Sequence, residues 1–331
     1  MSPQLAAQTD GGRDRPVCVI TTDNDIAADR VVLALADLGV PVVRFDLAAF
    51  PINLNLDARL EDGRWTGTLH VRDHTVVLED VRAILWWHPG GPQVQPGLTA
   101  AEERWSRDEA SAGLVGVLSA LDCLHLNHPA RTWTSQLKAD ALAHAARLGL
   151  RVPRTWIGNS PAGARAFAGS SPGGVVGKSL VRPTIRDDDS RAFYTKPVTK
   201  ERLDASVALT AHQLQDAAEK AFEVRLVVVD DEMFAVRIDA HSDAARADFR
   251  ADYPALTYSR AEVPADVHKG VLRLMGHYGL LYAALDLVVD GENRWSLLDL
   301  NGAGQYDWLQ AEVADLDISG AIAQLLASAD R

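Results

Sequence analysis

The sequence predicts an α/β (α+β) protein of more than one domain. Three observations predict it. The chain opens on a strand–helix–strand unit, which is the seed of a parallel sheet. Its second half repeats apolar hairpins bounded by Asp and Gly turns. Near its end, one such hairpin carries oxygen-bearing side chains where a core strand should be apolar.

The elements follow in order. VCVIT (17–21) reads as a buried strand, and Asp23 or Asp25 is positioned to cap a helix from Ile26 to Leu38 that Gly39 closes. VVRFD (42–46) is the next strand. Residues 54–78 alternate apolar and polar, with turns at Asp62-Gly63 and Asp73-His74, so hairpins are expected. Ala83 to Trp87 is a core strand and Ala100 to Leu121 a long helix; CLHLNHPART then reads as a linker. Gln136 to Leu148 has helical periodicity and ends at Gly149. Strands are expected at 155–157 and 174–181. Residues 176–198 should form a hairpin with the charged tip Arg186-Asp187-Asp188-Asp189-Ser190-Arg191, too polar for a core. A helix over 201–209 and a strand over 210–215 follow. Two strands, 223–229 and 232–240, meet at Asp230-Asp231; 241–260 reads as irregular, Val263 to Tyr278 as helical, and Ile318 to Ala329 as the closing helix.

The bulk numbers exclude several classes. The 331 residues are 47% hydrophobic and 24% charged, as in a soluble globular protein. A net charge of −12 argues against nucleic acid, whose phosphates require clustered Lys and Arg. No apolar run reaches the length of a membrane span, and residues 1–14 lack the apolar segment of a signal peptide and read as a disordered tail. Cys18 and Cys123 are expected to be packing thiols in a cytoplasmic protein.

The last hairpin carries the chemistry. Asp286 interrupts the apolar run 280–289, and Asp299 and Asn301 interrupt or end the run from Trp295. Residues two apart on a strand share a face, so Asp299 and Asn301 point together. An even-length loop, two or four residues, puts Asp286 on that face as well. Bare carboxylates among leucines cost roughly several kcal/mol to bury. A divalent cation offsets that, and hard oxygen ligands suit Mg²⁺ shared with phosphates. Lys178, in a Gly/Val-rich strand, and Lys138, at a helix start, are point charges suited to phosphate oxygens. Gln215, Asp216, Ala217 and Ala218 form a loop of mostly small residues able to approach an adenine edge, with Glu223 placed for ribose hydroxyls. Arg225 and Arg237 alternate with apolar residues on adjoining strands and are expected to project into one cleft.

Together these pieces resemble the ATP-grasp fold, and more narrowly the ATP-grasp peptide maturases that make graspetides of the microviridin type. The resemblance is carried by TSQLKADALAHAARLGLRVPRT, FYTKPV, FEVRLVVVDDEMFAVRID, ADFR, DLNGAGQYDWL and the N-terminal VVRFDLAAFP, and runs from about residue 17 to 328. It implies an ATP-grasp fold behind an N-terminal pre-ATP-grasp α/β domain. The boundaries expected are a tail over 1–14, the N-terminal domain over 15–125, a central subdomain over 126–215 and a C-terminal subdomain with the metal site over 216–331. It implies ATP and Mg²⁺ as cofactors, and an ATP-dependent ligase activating Asp/Glu side chains of a ribosomal precursor peptide. Ester or amide macrocycles with Thr/Ser or Lys would follow. Arg225, Arg237 and Arg250 are then the catalytic candidates, and the resemblance allows a homodimer. A RimK-like or dipeptide ligase, or a non-catalytic peptide-binding homologue, is the alternative. Two departures stand out. Asp299 replaces the usual Glu, and WWHPGG stands where the family carries paired arginines, which leaves Trp86, Trp87 and His88 for packing or peptide contact.

Overall fold

The computed structural model describes residues 15–181, 184–185, 191–192 and 195–329. The charged hairpin tip at 186–190 lies outside the described residues. The chain divides into two compact units: residues up to Pro129 together with those from Asp317, and residues from Ala130 to Leu316.

In the first unit, strands Val17–Ile20, Val42–Phe45, Ala83–Trp86 and Leu124–Leu126 make a parallel sheet with the first strand between the second and third. Asp25, not Asp23, caps helix Ile26–Asp37 by accepting from the Ala28 N–H at 3.0 Å. The expected hairpins are strands Leu54–Glu61, Arg64–Val71 and His74–Val77 of one antiparallel sheet. Thr99 and Glu102 close a capping box on helix Ala100–Ser119. The stretch read as a linker holds a strand, because Leu124–Leu126 extends the parallel sheet and buries Leu126. Both cysteines are free, and burial pushes each thiol up to about 12, as fits packing residues.

The expected 216–331 subdomain is corrected at its end. Helix Ile318–Ala327 belongs to the first unit, where its apolar face, with Ile318, Ile322 and Leu326 fully buried, packs on helix Ile26–Asp37 and strand Ala83–Trp86. Arg82 Nη1 donates to its Ala327 carbonyl at 2.7 Å. Residues 130–215 and 216–316 share one unit, and 126–129 fall in the first.

That second unit holds two main sheets. A four-stranded sheet runs in the order Lys196–Val198, Val175–Lys178, His212–Asp216, Thr155–Gly158, all antiparallel. One face packs Leu214 and Trp156 with Ala164, Leu203 and Val207. A five-stranded sheet runs Leu256–Arg260, Glu232–Ala240, Phe222–Val229, Tyr282–Val289, Trp295–Asn301. Val224, Leu226, Val228, Leu285 and Leu287 line its apolar face against helices Lys138–Arg147 and Ala265–Tyr278. Gly279 ends the latter helix in the left-handed region at φ 65°, which a glycine adopts without strain.

Three local expectations change. The helix expected over 136–148 begins at Lys138 and ends at Arg147, because extended Leu137 parts it from a separate helix, Pro129–Ser135. Residues 201–209 are two 3₁₀ turns, Lys200–Arg202 and Ala205–Leu209, parted where Asp204 caps Ser206. The "irregular" 241–260 contains strand Leu256–Arg260, whose pairing with residues 236–240 completes the sheet edge.

Candidate active site

The C-terminal hairpin places its acids by a register shift. Near the turn, Val289, Val288 and Leu287 face Trp295, Ser296 and Leu297. Asp286 then faces Asp299, so Leu298 is an unpaired bulge. The loop from Asp290 to Arg294 is odd in length, held by Asp290 Oδ1 accepting from the Glu292 and Arg294 N–H groups. Uncorrected, that register would turn Asp299 and Asn301 away from Asp286, because a one-residue slip exchanges faces. The bulge restores them. Asn301 then pairs with Ala284, two residues from Asp286 and on its face.

The next strand adds a cation in the same row, since Arg225 faces Asp286. Arg225 Nη1 donates to Asp286 Oδ1 at 2.8 Å, and Arg250 Nη2 donates to Asp286 Oδ2 at 2.6 Å. Burial alone would raise the Asp286 carboxyl, but Arg225 and Arg250 outweigh it and hold it at about 2. Burial likewise disfavours charge on Arg250, and Asp286 and Asp248 reverse that. Buried Asp248 also accepts from the Thr195 N–H at 2.9 Å, tying the returning hairpin strand to Arg250. Arg225 Nη2 donates to the Gln305 carbonyl at 3.0 Å. Gly304 permits that approach: a Cβ there would lie 2.5 Å from Ala284 Cβ and 2.7 Å from Arg225 Nη2.

The two lysines converge on this face from other elements. Lys138, the first residue of its helix, donates to Asp299 Oδ2 at 3.0 Å. Lys178 donates to Gln215 Oε1 at 2.7 Å, and Gln215 Nε2 donates to Thr155 Oγ1 at 3.0 Å. Burial pushes the Lys178 ammonium down to about 8, against the opposing pull of Asp299, Asp286 and Glu223. Those acids lie on the five-stranded sheet, so the polar faces of both sheets address one space. Glu223 shares the face of Arg225 and Asp286; burial raises its carboxyl, and Lys220 opposes by donating at 2.6 Å.

Other predicted residues are placed elsewhere. Arg237 is not in the cleft with Arg225. Val236 is the partner of Arg225, and Arg237 is the partner of Val224, so it points to the opposite face. There it pairs with Asp239 at 2.7 Å and covers the Phe222 ring at 4.0 Å. Asp216 turns to the helix-covered face of its sheet, accepting from Ser171 Oγ at 2.6 Å. Ala217 gives its N–H to the Gly174 carbonyl, which leaves its own carbonyl, and half-buried Ala218 beside it, as the adenine-edge candidates. In the first unit Trp86 and Trp87 are buried, Trp86 Nε1 donates to His125 Nδ1 at 3.0 Å, and His88 lies 3.1 Å from Asp25. Sequence reasoning missed Thr155, Asp248 and Gly304. The Asp248-x-Arg250 spacing was a usable signal for the second; the others depend on cross-strand neighbours.

The donor set fits a hard divalent cation. Asp286, Asp299 and Asn301 offer oxygens from one face, and Asn301 Oδ1, which accepts from the Ala303 N–H, retains a second lone pair. Facing carboxylates repel; here Arg225, Arg250 and Lys138 neutralise them. Among the described residues no group of three or more His, Cys, Asp or Glu is arranged to hold a metal.

Residues 16–132 match the family described as the MvdD pre-ATP grasp domain. The whole chain is similar to macrocyclase MdnC from Microcystis aeruginosa MRC, solved with precursor peptide MdnA. Identity is 27% and the TM-score 0.84, covering 95% of this chain and 100% of that one. It is also similar to a RiPP-associated ATP-grasp ligase from Chryseobacterium gregarium, solved with ADP and a leader and core peptide. There identity is 26% and the TM-score 0.87, over 96% and 98% of the two chains. ATP-grasp ligase PsnB shares the fold at 19% identity and a TM-score of 0.74, over 96% and 100%. No curated protein matches the chain. The protein is an ATP-grasp ligase with an N-terminal pre-ATP-grasp domain. Within that class it is similar to MdnC and to the RiPP-associated ligase, each solved with a peptide.

Proposed function

We propose that this chain uses ATP and Mg²⁺ to activate Asp or Glu side chains of a ribosomal precursor peptide and to close them onto Thr/Ser hydroxyls or Lys amines. The observation that carries this reading is the Arg225–Asp286–Asp299 row with Asn301, Lys138 and Lys178 around it, on a chain similar over its whole length to MdnC. Phosphoryl transfer to a carboxylate demands positioning and charge neutralisation more than covalent chemistry by the protein. Asp286, Asp299 and Asn301 would hold Mg²⁺, which when bound neutralises charge on the transferring phosphoryl group. Lys178 and Lys138 bind phosphate oxygens. Arg225 and Arg250, fixed by Asp286, are preorganised donors for the acyl phosphate and the oxyanion formed when the hydroxyl or amine attacks. The carbon–oxygen bond to phosphate then breaks, and phosphate leaves as the ester or amide forms. The peptide partner would carry a leader and a core rich in Thr/Ser and Asp/Glu. No helix among the described residues is long and apolar enough to cross a membrane, in keeping with a cytoplasmic site of action.

The test is reconstitution with ATP, Mg²⁺ and a synthetic leader–core peptide encoded beside the gene. The expected result is loss of one water mass per ring with matching ADP release. Leader-independent turnover of free amino acids would replace this reading with that of a small-molecule ligase.

A further inference from the structure

Strand His212–Asp216 carries a second glutamine on the face of Gln215. Gln213 lies directly opposite Lys178 on one side and Ile157 on the other. Leu214, between the two glutamines, points to the opposite face and packs with Ala164, Leu203 and Val207. Gln213 is therefore turned from the apolar core toward the side from which Lys178 senses Asp299 and Asp286. It is only 2% exposed, yet neither its Oε1 nor its Nε2 has a hydrogen-bond partner. Gln215, two residues on, has both ends paired.

A carboxamide stripped of water with no bond in return is destabilising, and buried polar groups are rarely left so in native proteins. A leucine or methionine would fill the same volume without that cost. The position is thus poorly explained by packing. The buried Arg225 Nε is likewise unpaired in this site. Directly opposite residues on antiparallel strands hold their Cβ atoms about 5 Å apart, so the Gln213 amide and the Lys178 ammonium reach the same small anion. Lys178 gives one N–H to Gln215 and keeps two.

We propose that Gln213 is a nucleotide-binding residue, its Nε2 donating to a phosphate oxygen of the nucleotide that Lys178 also contacts. This rests on the reading of the site as an ATP site. In the bound state the Gln213 Oε1 accepts from a remaining Lys178 N–H, so both ends of the amide are satisfied only with the anion present. The residue would set nucleotide affinity while lowering the stability of the empty enzyme.

The experiment compares the full-length protein with Gln213→Leu and Gln213→Met. Melting temperature is measured without nucleotide, and ADP–Mg²⁺ affinity by titration calorimetry. Both variants are expected to melt at or above the parent and to bind ADP–Mg²⁺ about tenfold more weakly or worse, the loss of one hydrogen bond to a charged group. Parental affinity in the variants overturns the proposal. Failure of both variants to fold also overturns it, because an amide without partners is not needed for folding. The parent protein is the control: if it does not bind ADP–Mg²⁺, the ATP-site reading itself falls.

Discussion

Asp286 and Asp299 stand directly opposite each other across the C-terminal hairpin, and the bulge at Leu298 is what brings them face to face. Arg225 extends the row by one strand, and Arg250 reaches Asp286 from the connecting segment. Two carboxylates therefore sit among three cations before any ligand enters, counting Lys138 on Asp299.

The oxygen face predicts the behaviour of its own variants. Asp299→Asn and Asn301→Ala should each reduce ligation by about a hundredfold or more, the scale of losing one electrostatic contact to a transferring group. Both should stay folded, since Asp299 and Asn301 are only half-buried. Steady-state rates across a Mg²⁺ titration, with circular dichroism alongside, decide it. Parental turnover at ordinary Mg²⁺ in either variant would remove that residue from the metal face.

Lys178 predicts a pH dependence of defined sign. Burial holds its ammonium at about 8, below the unfolded value of about 10.4. Phosphate is attracted to the ammonium and not to the amine, so ADP–Mg²⁺ affinity should fall as pH rises through about 8. Stability of the nucleotide-free protein should move the other way. Between about pH 8 and about 10.4 the unfolded chain binds more protons, so stability rises with pH. Lys178→Arg should flatten the affinity profile, and Lys178→Ala should abolish tight binding at every pH. Calorimetry from pH 7 to 10 reads both, and a flat profile in the parent protein would contradict the assignment.

The two arginines on adjoining strands should separate cleanly. Arg225→Ala leaves Asp286 with one of its two partners in a buried site, which costs about 3–5 kcal/mol, and should also abolish ligation. Arg237→Ala removes a half-exposed pair with Asp239 and a contact over Phe222, worth about 1 kcal/mol. Its ligation rate should stay within about twofold of the parent, the ordinary scatter of a surface substitution. A large rate loss in Arg237→Ala would bring that side chain back into the chemistry.

Gly304 is expected to tolerate no side chain. Gly304→Ala sets a methyl against Ala284 and Arg225 Nη2, an overpacking that costs about 1–3 kcal/mol. Because Arg225 must move, kcat should fall more than the KM for ATP rises. Thermal melting and initial rates together check it; a fully stable, fully active Gly304→Ala would mean the Arg225 position is not constrained from this side.

Much of the molecule was legible in the residues alone. The strand–helix–strand opening, the Asp25 cap region, the paired strands around Asp230-Asp231 and the last hairpin all follow from apolar periodicity and turn chemistry, which are local properties. The resemblance to the ATP-grasp peptide maturases is borne out by the pre-ATP-grasp match and the likeness to MdnC. The same local reasoning failed where the deciding contact was distant. Leu124–Leu126 and Leu256–Arg260 look like linker and irregular chain until a neighbouring strand supplies their hydrogen bonds. The closing helix was assigned by its place in the chain, whereas its buried face chose the N-terminal unit.

The candidate site divides in the same way. Residue types and two-residue spacing determined that Asp299 and Asn301 share a face, and that oxygen ligands with lysines point to phosphate chemistry. Only the tertiary structure decided that Asp286 joins them, because the parity of a hairpin depends on its loop and its bulges together, and the bulge at Leu298 has no sequence signature. Only the structure separated Arg225 from Arg237, since the face a strand residue occupies is set by register against its neighbour, and register is a property of two strands at once.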